Sequence, residues 1–261
     1  MGVSAAWDEA DAAAVRAIEA RYAGKPVLIG LAGAQGSGKS TMAPRVAERL
    51  TQGGLRTAIV ALDDFYLTRA EREELARTVH PLLITRGVPG THDLALFSGV
   101  VDALLAGRSA CAPRFDKASD DRVTGDWRRI EGPVDVVLLE GWCTGARPQP
   151  DAALAEPVNE RERHEDPDGR WRRWVNERLA SDYAAMFSRL ALCILLRAPN
   201  FDVVLRWRTQ QEQQLMSGRM GTPAIQRFID HYERITRWML EDEPAELVID
   251  LDRDRTPTLR A

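Results

Sequence analysis

Cysteine is scarce in this chain. Cys111, Cys143 and Cys193 are the only three, they lie far apart, and none forms a C-x-x-C pair. This spacing argues against a zinc site and against a disulfide-built fold, and makes a reducing, cytoplasmic compartment the expected one. Long apolar runs are also missing, and none reaches the ~20 residues a membrane helix needs. The first twenty residues lack a basic-then-apolar leader and carry Asp8, Glu9 and Asp11, while Ala6 stands where a myristoylation signal needs Ser or Thr. Neither sign of charge dominates. A net charge of −4 gives no support to nucleic acid as a general partner, and no membrane partner is expected. There is no repeat, no low-complexity tract and no heptad pattern to set an oligomeric state. What remains is an ordinary globular composition, 44% hydrophobic and 28% charged over 261 residues, enough for a sizeable core.

Against that background one segment stands out: Gly33-Ala-Gln-Gly36-Ser37-Gly38-Lys39-Ser40-Thr41. It fits G-x-x-x-x-G-K-[ST], with an apolar strand before it (Pro26 to Ala32) and a helical pattern after it (Met42, Val46, Leu50). Glycines let backbone N–H groups approach anionic oxygens, and a helix N-terminus adds further unpaired donors and positive dipole. In such a loop Lys39 reaches the β/γ-phosphates and the Ser40 hydroxyl is offered to Mg²⁺. ATP and Mg²⁺ are therefore the expected co-substrate and cofactor, held by residues 33 and 36–41.

Apolar segments at Thr57–Leu62, Val134–Leu139, Leu190–Leu196 and Glu246–Asp250 read as further strands. Helical patterns at about Ser4–Tyr22, Arg69–Thr78, Asp93–Leu105, Trp171–Arg189, Phe201–Met216 and Thr222–Leu240 alternate with them. Pro113–Trp127 reads as irregular and Gly145–Gly169 as a loop over the surface. The alternation predicts an α/β, three-layer fold with a mostly parallel central sheet. The expected organisation is a single domain over 1–261, with an N-terminal helix at 1–24, a surface insertion at 144–172 and a helical lid region at 201–240. Ligands of such sheets sit beyond the carboxyl ends of the strands, where the glycine loop, Asp63, Glu140 and Arg197 all fall.

Those ends carry the candidate chemistry. Asp63 and Asp64 close the second strand, where a carboxylate can take a proton from an attacking hydroxyl or hold Mg²⁺; a cap for the next turn is the plainer use. Glu140 ends Val-Val-Leu-Leu-Glu-Gly, a position suited to orienting the metal, and Trp142 follows at the presumed rim. Arg86, His92, Lys117 and Arg122 lie in irregular segments between those strands. Arginines and a lysine there suit a small anion, although each alone also reads as a solvated charge. Arg206, Arg208 and Arg219 fall on or after the helix following the fourth strand, either closing over phosphates or lying on an ordinary helix surface.

Taken together, Gly36–Thr41, Leu62-Asp-Asp-Phe-Tyr-Leu-Thr68, Arg86-Gly-Val-Pro-Gly-Thr-His-Asp93, Phe115-Asp-Lys117 with Asp121-Arg122, Leu139-Glu-Gly-Trp142, Trp174-Val-Asn176 and Trp207–Glu212 resemble the D-glycerate 3-kinase family. That family belongs to the wider phosphoribulokinase, uridine kinase and pantothenate kinase group of P-loop kinases. The 86–93 segment points most sharply to the glycerate branch. The resemblance implies an ATP-dependent kinase phosphorylating a small hydroxylated acid, D-glycerate to 3-phosphoglycerate. It implies Asp63 as general base, Lys39 and Ser40 on phosphate and Mg²⁺, and Glu140 as the acidic group after the third strand. It also implies an acceptor site drawn from Tyr66, Arg86, His92, Lys117, Arg122 and Trp142, and a lid carrying Arg206 and Arg208. Phe115 departs from the family's Tyr, and Ala118–Asp120 has fewer glycines than the family spacer. A same-fold kinase for a nucleoside, pantothenate or sugar phosphate, and a nucleotide-dependent regulatory ATPase, are the alternatives.

Overall fold

The computed structural model describes residues 3–213 and 221–260. Helix α1 (Val3–Glu19) leads into strand β1 (Val27–Gly33), the glycine loop and helix α2 (Lys39–Gln52). Strand β2 (Thr57–Ala61) runs straight into a 3₁₀ turn at Leu62–Phe65, then α3 (Arg69–Thr78) and α4 (Leu94–Leu105). Thr68 and Glu71 cap α3 reciprocally, and the Asp93 carboxylate accepts the Leu96 N–H at the start of α4.

The region expected to be irregular, Pro113–Trp127, is so apart from one two-residue antiparallel pair, and it is flanked by a second pair. β3 (Ala110–Ala112) pairs with β6 (Arg128–Ile130), and between them β4 (Phe115–Asp116) pairs with β5 (Asp121–Arg122). Strands of two and three residues leave no alternation for the sequence to display. Strand β7 (Val136–Gly141) follows, then α5 (Glu160–Glu165), α6 (Arg170–Arg178) and α7 (Ala184–Phe187), the last two joined by a wide i→i+5 turn at Leu179–Tyr183. Strand β8 (Leu192–Arg197) precedes α8 (Asp202–Gln213), α9 (Thr222–Asp230) and α10 (Glu233–Asp242), and strands β9 (Leu247–Leu251) and β10 (Pro257–Leu259) close the chain. The expected extension of the helix to Met216, and Arg219 with it, lies outside the described residues. The helix expected at 222–240 is broken by i→i−3 bonds at His231 and Tyr232, which turns both rings inward.

The strands order as β10-β9-β8-β1-β7-β2, parallel except for the edge strand β10. In register, Ile29 faces Leu138 on one side and Leu192 on the other. Alternate residues feed two separate cores. Leu28, Val60, Val137, Leu139 and Leu195 pack under α4, α6 and α10, while Ile29, Leu31, Leu138, Ile194 and Leu196 pack under α1, α2 and α8. Burial on both faces explains why each strand reads as continuously apolar.

The 145–169 segment does not simply loop over the surface. Asp166 is fully buried and accepts N–H bonds from Trp171 (2.7 Å) and Arg172 (3.1 Å), and Arg234 pairs with buried Glu162 at 2.6 Å. Most of its charges lie exposed, as the composition suggests, but those of Glu162 and Asp166 are buried and satisfied internally, as burial of a charge requires. Among the described residues no helix is long and apolar enough to cross a membrane.

Candidate active site

The carboxyl ends of β1, β2 and β7 converge on a cleft of about 240 Å³. At one end lies the glycine loop. Gly36 adopts φ 76°, and a Cβ there would sit 2.8 Å from the Trp207 Cβ, so both backbone and packing demand glycine. Lys39, at the start of α2, donates to the carbonyls of Gly33 (2.7 Å) and Ala34 (3.0 Å). Burial lowers its pKa, against the opposing pull of Glu140 and Asp63. The Ser40 hydroxyl faces both Glu140 carboxylate oxygens at 3.0 and 3.2 Å. Burial pushes the Glu140 pKa up, opposed by Lys39 and Ser40. Ser37 is fully buried within the loop, and Gly38 and Thr41 open onto an adjoining cavity beside Gln210, Gln211 and Arg255.

Asp63 stands at the middle of the cleft. Its Oδ1 accepts from the Tyr66 hydroxyl and its Oδ2 from the Lys117 ammonium, each at 2.7 Å. Burial pushes its pKa upward, but Lys117 and Tyr66 pull harder and hold it down at about 2. Asp64 also lines the cleft, with a pKa raised chiefly by burial.

At the far end, Arg86 is held by Asp120 and lies over the Phe115 ring at 5.3 Å. Its carbonyl accepts the Tyr232 hydroxyl at 2.8 Å. Gly87, at φ 125°, makes this possible, because a Cβ there would fall 2.0 Å from that hydroxyl. The Trp142 indole donates to the Gly87 carbonyl (2.9 Å) and meets Tyr232 edge-on, forming the wall. Arg208 reaches the same cleft from α8, over the Phe228 ring.

The structure thus brings Lys39, Ser40, Asp63, Tyr66, Arg86, Lys117, Glu140, Trp142 and Arg208 to one cleft. Four residues singled out in the sequence are elsewhere. His92 is buried behind Tyr66, its Nδ1 2.6 Å from the Tyr183 hydroxyl, and burial lowers its pKa to about 4. Arg122 staples the Tyr66 carbonyl (3.0 Å) to the Asp93 carboxylate (3.2 Å). Arg206 pairs with Asp254 at the surface. Arg197, at a strand end, is bound by Glu243 and Asp250. Tyr232, Asp120 and Arg255 were not singled out in the sequence. Tyr232 sits in a helical pattern that reads as core, and Arg255 lies in the β9–β10 turn, which carries no motif. Arg255 donates to the Gly36 carbonyl at 2.6 Å and lies over the Trp207 ring at 5.2 Å.

Residues 4–66 match the family model described as Methylmalonyl Co-A mutase-associated GTPase MeaB. The chain is 33% identical over 222 residues to the Schizosaccharomyces pombe protein named "Uncharacterized kinase mug58", covering 80% of this chain and 79% of that one. It is 29% identical over 259 residues to "D-glycerate 3-kinase, chloroplastic" of Arabidopsis thaliana, covering 90% of this chain and 54% of that relative. A solved D-glycerate 3-kinase from Cryptococcus neoformans var. grubii is similar with a TM-score of 0.77 and 26% identity, over 91% of this chain and 89% of that one.

Proposed function

Because the chain belongs to the D-glycerate 3-kinase family of P-loop kinases and is a small-molecule kinase, we propose that it transfers the γ-phosphoryl of ATP to D-glycerate, giving 3-phosphoglycerate. The observation that carries the reading is the polarity of the cleft. Phosphate-binding groups occupy one end, Arg86 and Lys117 offer cations to an acid at the other, and the Asp63 carboxylate stands between them. A guanidinium and an ammonium suit the carboxylate of a small acid, whereas an uncharged nucleoside has no group to match them.

Lys39 draws negative charge from the β/γ-phosphates. Ser40 and Glu140 are hard oxygen donors facing each other at 3.0–3.2 Å, and we assign them to Mg²⁺ jointly with phosphate oxygens. An ion held by these residues would supply charge neutralisation to the transferred group. Asp63, a further candidate for the metal, has both oxygens already engaged by Tyr66 and Lys117, and we assign it to the acceptor hydroxyl as base. Arg86 and Lys117 orient the acid, Trp142 and Tyr232 wall off its far side, and Arg208 faces the transferred phosphoryl. His92 and Arg122 act by fixing Tyr66. Three free cysteines, two of them buried, suit a reducing cytoplasm.

The test is Mg²⁺-dependent ADP release with D-glycerate, L-glycerate, uridine, pantothenate or no acceptor, beside Lys39→Ala. Stimulation by D-glycerate, lost in the variant, is expected. Stimulation by uridine or pantothenate instead would overturn the acceptor while leaving the kinase.

A further inference from the structure

We propose that the Lys117 ammonium is a latch on Asp63 that reserves this carboxylate for acceptors carrying an anionic group and denies it to water and neutral alcohols. The inference rests on the reading of Asp63 as the base.

The two partners of Asp63 differ in mobility. Tyr66 is buried, stacked on His92 at 4.7 Å and edge-on to Phe115 at 5.1 Å, so its hydroxyl stays in place. Lys117 arrives from the open side, with 62% of its side chain exposed. Its backbone is pinned, because the turn between β4 and β5 is closed by the Asp116 carboxylate, which accepts from the N–H groups of Ala118 and Ser119 and from the Ser119 hydroxyl. Asp120, next in that turn, binds Arg72 and Arg86. Only the flexible lysine stem is left to swing.

Asp63 gains proton affinity towards an incoming hydroxyl only when the ammonium leaves Oδ2. That movement gives up the ion pair and leaves the ammonium to solvent beside Arg86 and Lys39, unless an anion brought by the acceptor receives it. The carboxylate of an acid acceptor is such an anion, and water or a neutral alcohol has none to offer. Arg86 already has Asp120, so Lys117 is the cation whose partner must be exchanged. In the denied reaction a water oxygen bonds to the γ-phosphorus, its proton passes to Asp63, the bond from that phosphorus to the bridging oxygen breaks, and the electron pair leaves with ADP. The productive reaction is the same displacement with the acceptor hydroxyl in place of water.

The experiment measures acceptor-independent ADP release for wild type, Lys117→Met and Lys117→Met/Asp63→Asn, with MgATP binding and thermal melting as controls for folding. Lys117→Met is expected to raise basal release about tenfold, less than the ~10²–10⁴ that a fully positioned base contributes, and the double variant to cancel the rise. The kcat/KM preference for D-glycerate over glycerol is expected to fall by about two decades or more in Lys117→Met. Unchanged basal release in a folded, ATP-binding Lys117→Met overturns the latch. A rise that persists in the double variant overturns Asp63 as the base. Because the basal readout needs no acceptor, neither result depends on D-glycerate being the right one.

Discussion

Asp63→Asn separates chemistry from architecture, because the two costs differ in size. The amide keeps the shape of the side chain, and its oxygen still accepts the Tyr66 hydroxyl. Its NH₂ group would face the Lys117 ammonium where Oδ2 now accepts at 2.7 Å, donor against donor, so that pair is lost. The pair is worth little to folding. The folded Asp63 pKa, about 2, lies below its ordinary 3.8. Its contribution to stability is therefore complete above the unfolded value and is lost as pH falls through about 2. With 36% of the Asp63 side chain and 62% of that of Lys117 exposed, solvent screening reduces this to about 1 kcal/mol at neutral pH. Losing a general base costs roughly 10²–10⁴ in rate, or about 3–5 kcal/mol at 1.36 kcal/mol per decade. The variant is thus expected to melt within a few degrees of wild type, to bind MgATP with an affinity within a few-fold, and to lose kcat for D-glycerate by at least two decades. Coupled ADP release gives kcat and KM, and calorimetric titration gives the ATP affinity. A kcat within tenfold of wild type, with ATP binding or its Mg²⁺ dependence impaired instead, would refute the base and make Asp63 a metal-site residue.

The same pKa sets a pH profile. Asp63 must be ionised to accept a proton and is so above about 2, so kcat/KM should show no acid limb from this group between pH 4.5 and 8; an inflection in that range, absent in Asp63→Asn, would contradict it. Glu140→Gln should raise the Mg²⁺ concentration needed for half-maximal rate by about tenfold or more while leaving the acceptor KM within a few-fold, because the change falls on the oxygen pair with Ser40 that we assign to the metal; an unchanged Mg²⁺ titration would count against the assignment. Gly87→Ala forces a side chain onto a φ of 125° and a Cβ to 2.0 Å from the Tyr232 hydroxyl, and should cost about 3 kcal/mol in urea denaturation, whereas Gly54→Ala, with open space around it, should cost only the strain of its positive φ.

The nucleotide end was legible in the sequence because its chemistry is contiguous. A glycine loop between strand and helix, and acids directly after apolar runs at Asp63 and Glu140, can be read from neighbours alone. The acceptor end was legible only in outline. Arg86 and Lys117 do face the cleft, but nothing local distinguishes them from Arg122, which turns away to staple Tyr66 to Asp93. His92 reads as a loop histidine that caps or packs, or joins the acceptor set; the bridge between Tyr66 and His92 and the wide turn that presents Tyr183 bury it, and the sequence does not show that packing partner. Those contacts span 26 and 91 positions, beyond the reach of any periodicity. In the charged stretch 145–169 the burial of Glu162 is hidden for the same reason, since its arginine, Arg234, lies 72 residues away.

This division follows from what each end must recognise. Phosphate is the same in every nucleotide, and backbone N–H groups and one lysine suffice for it, so a short local motif can encode the whole device. An acceptor is recognised by side chains, and in the proposed reading those come from four separate places: the 86–93 loop, the β4–β5 turn, the rim after β7 and the α9–α10 break. Each carries one or two of the groups, and none is a site without the others. Asp120 shows the dependence most directly: it touches no reacting atom, yet it fixes Arg86 from the same turn that delivers Lys117. A change of length in residues 117–120 would therefore move a cation off Asp63 and release the arginine opposite it at once. It follows that a relative sharing the glycine loop but differing in this turn should keep ATP and change its acceptor, and that grafting a different turn into this chain should alter the acceptor KM and basal ADP release together while leaving the ATP affinity in place.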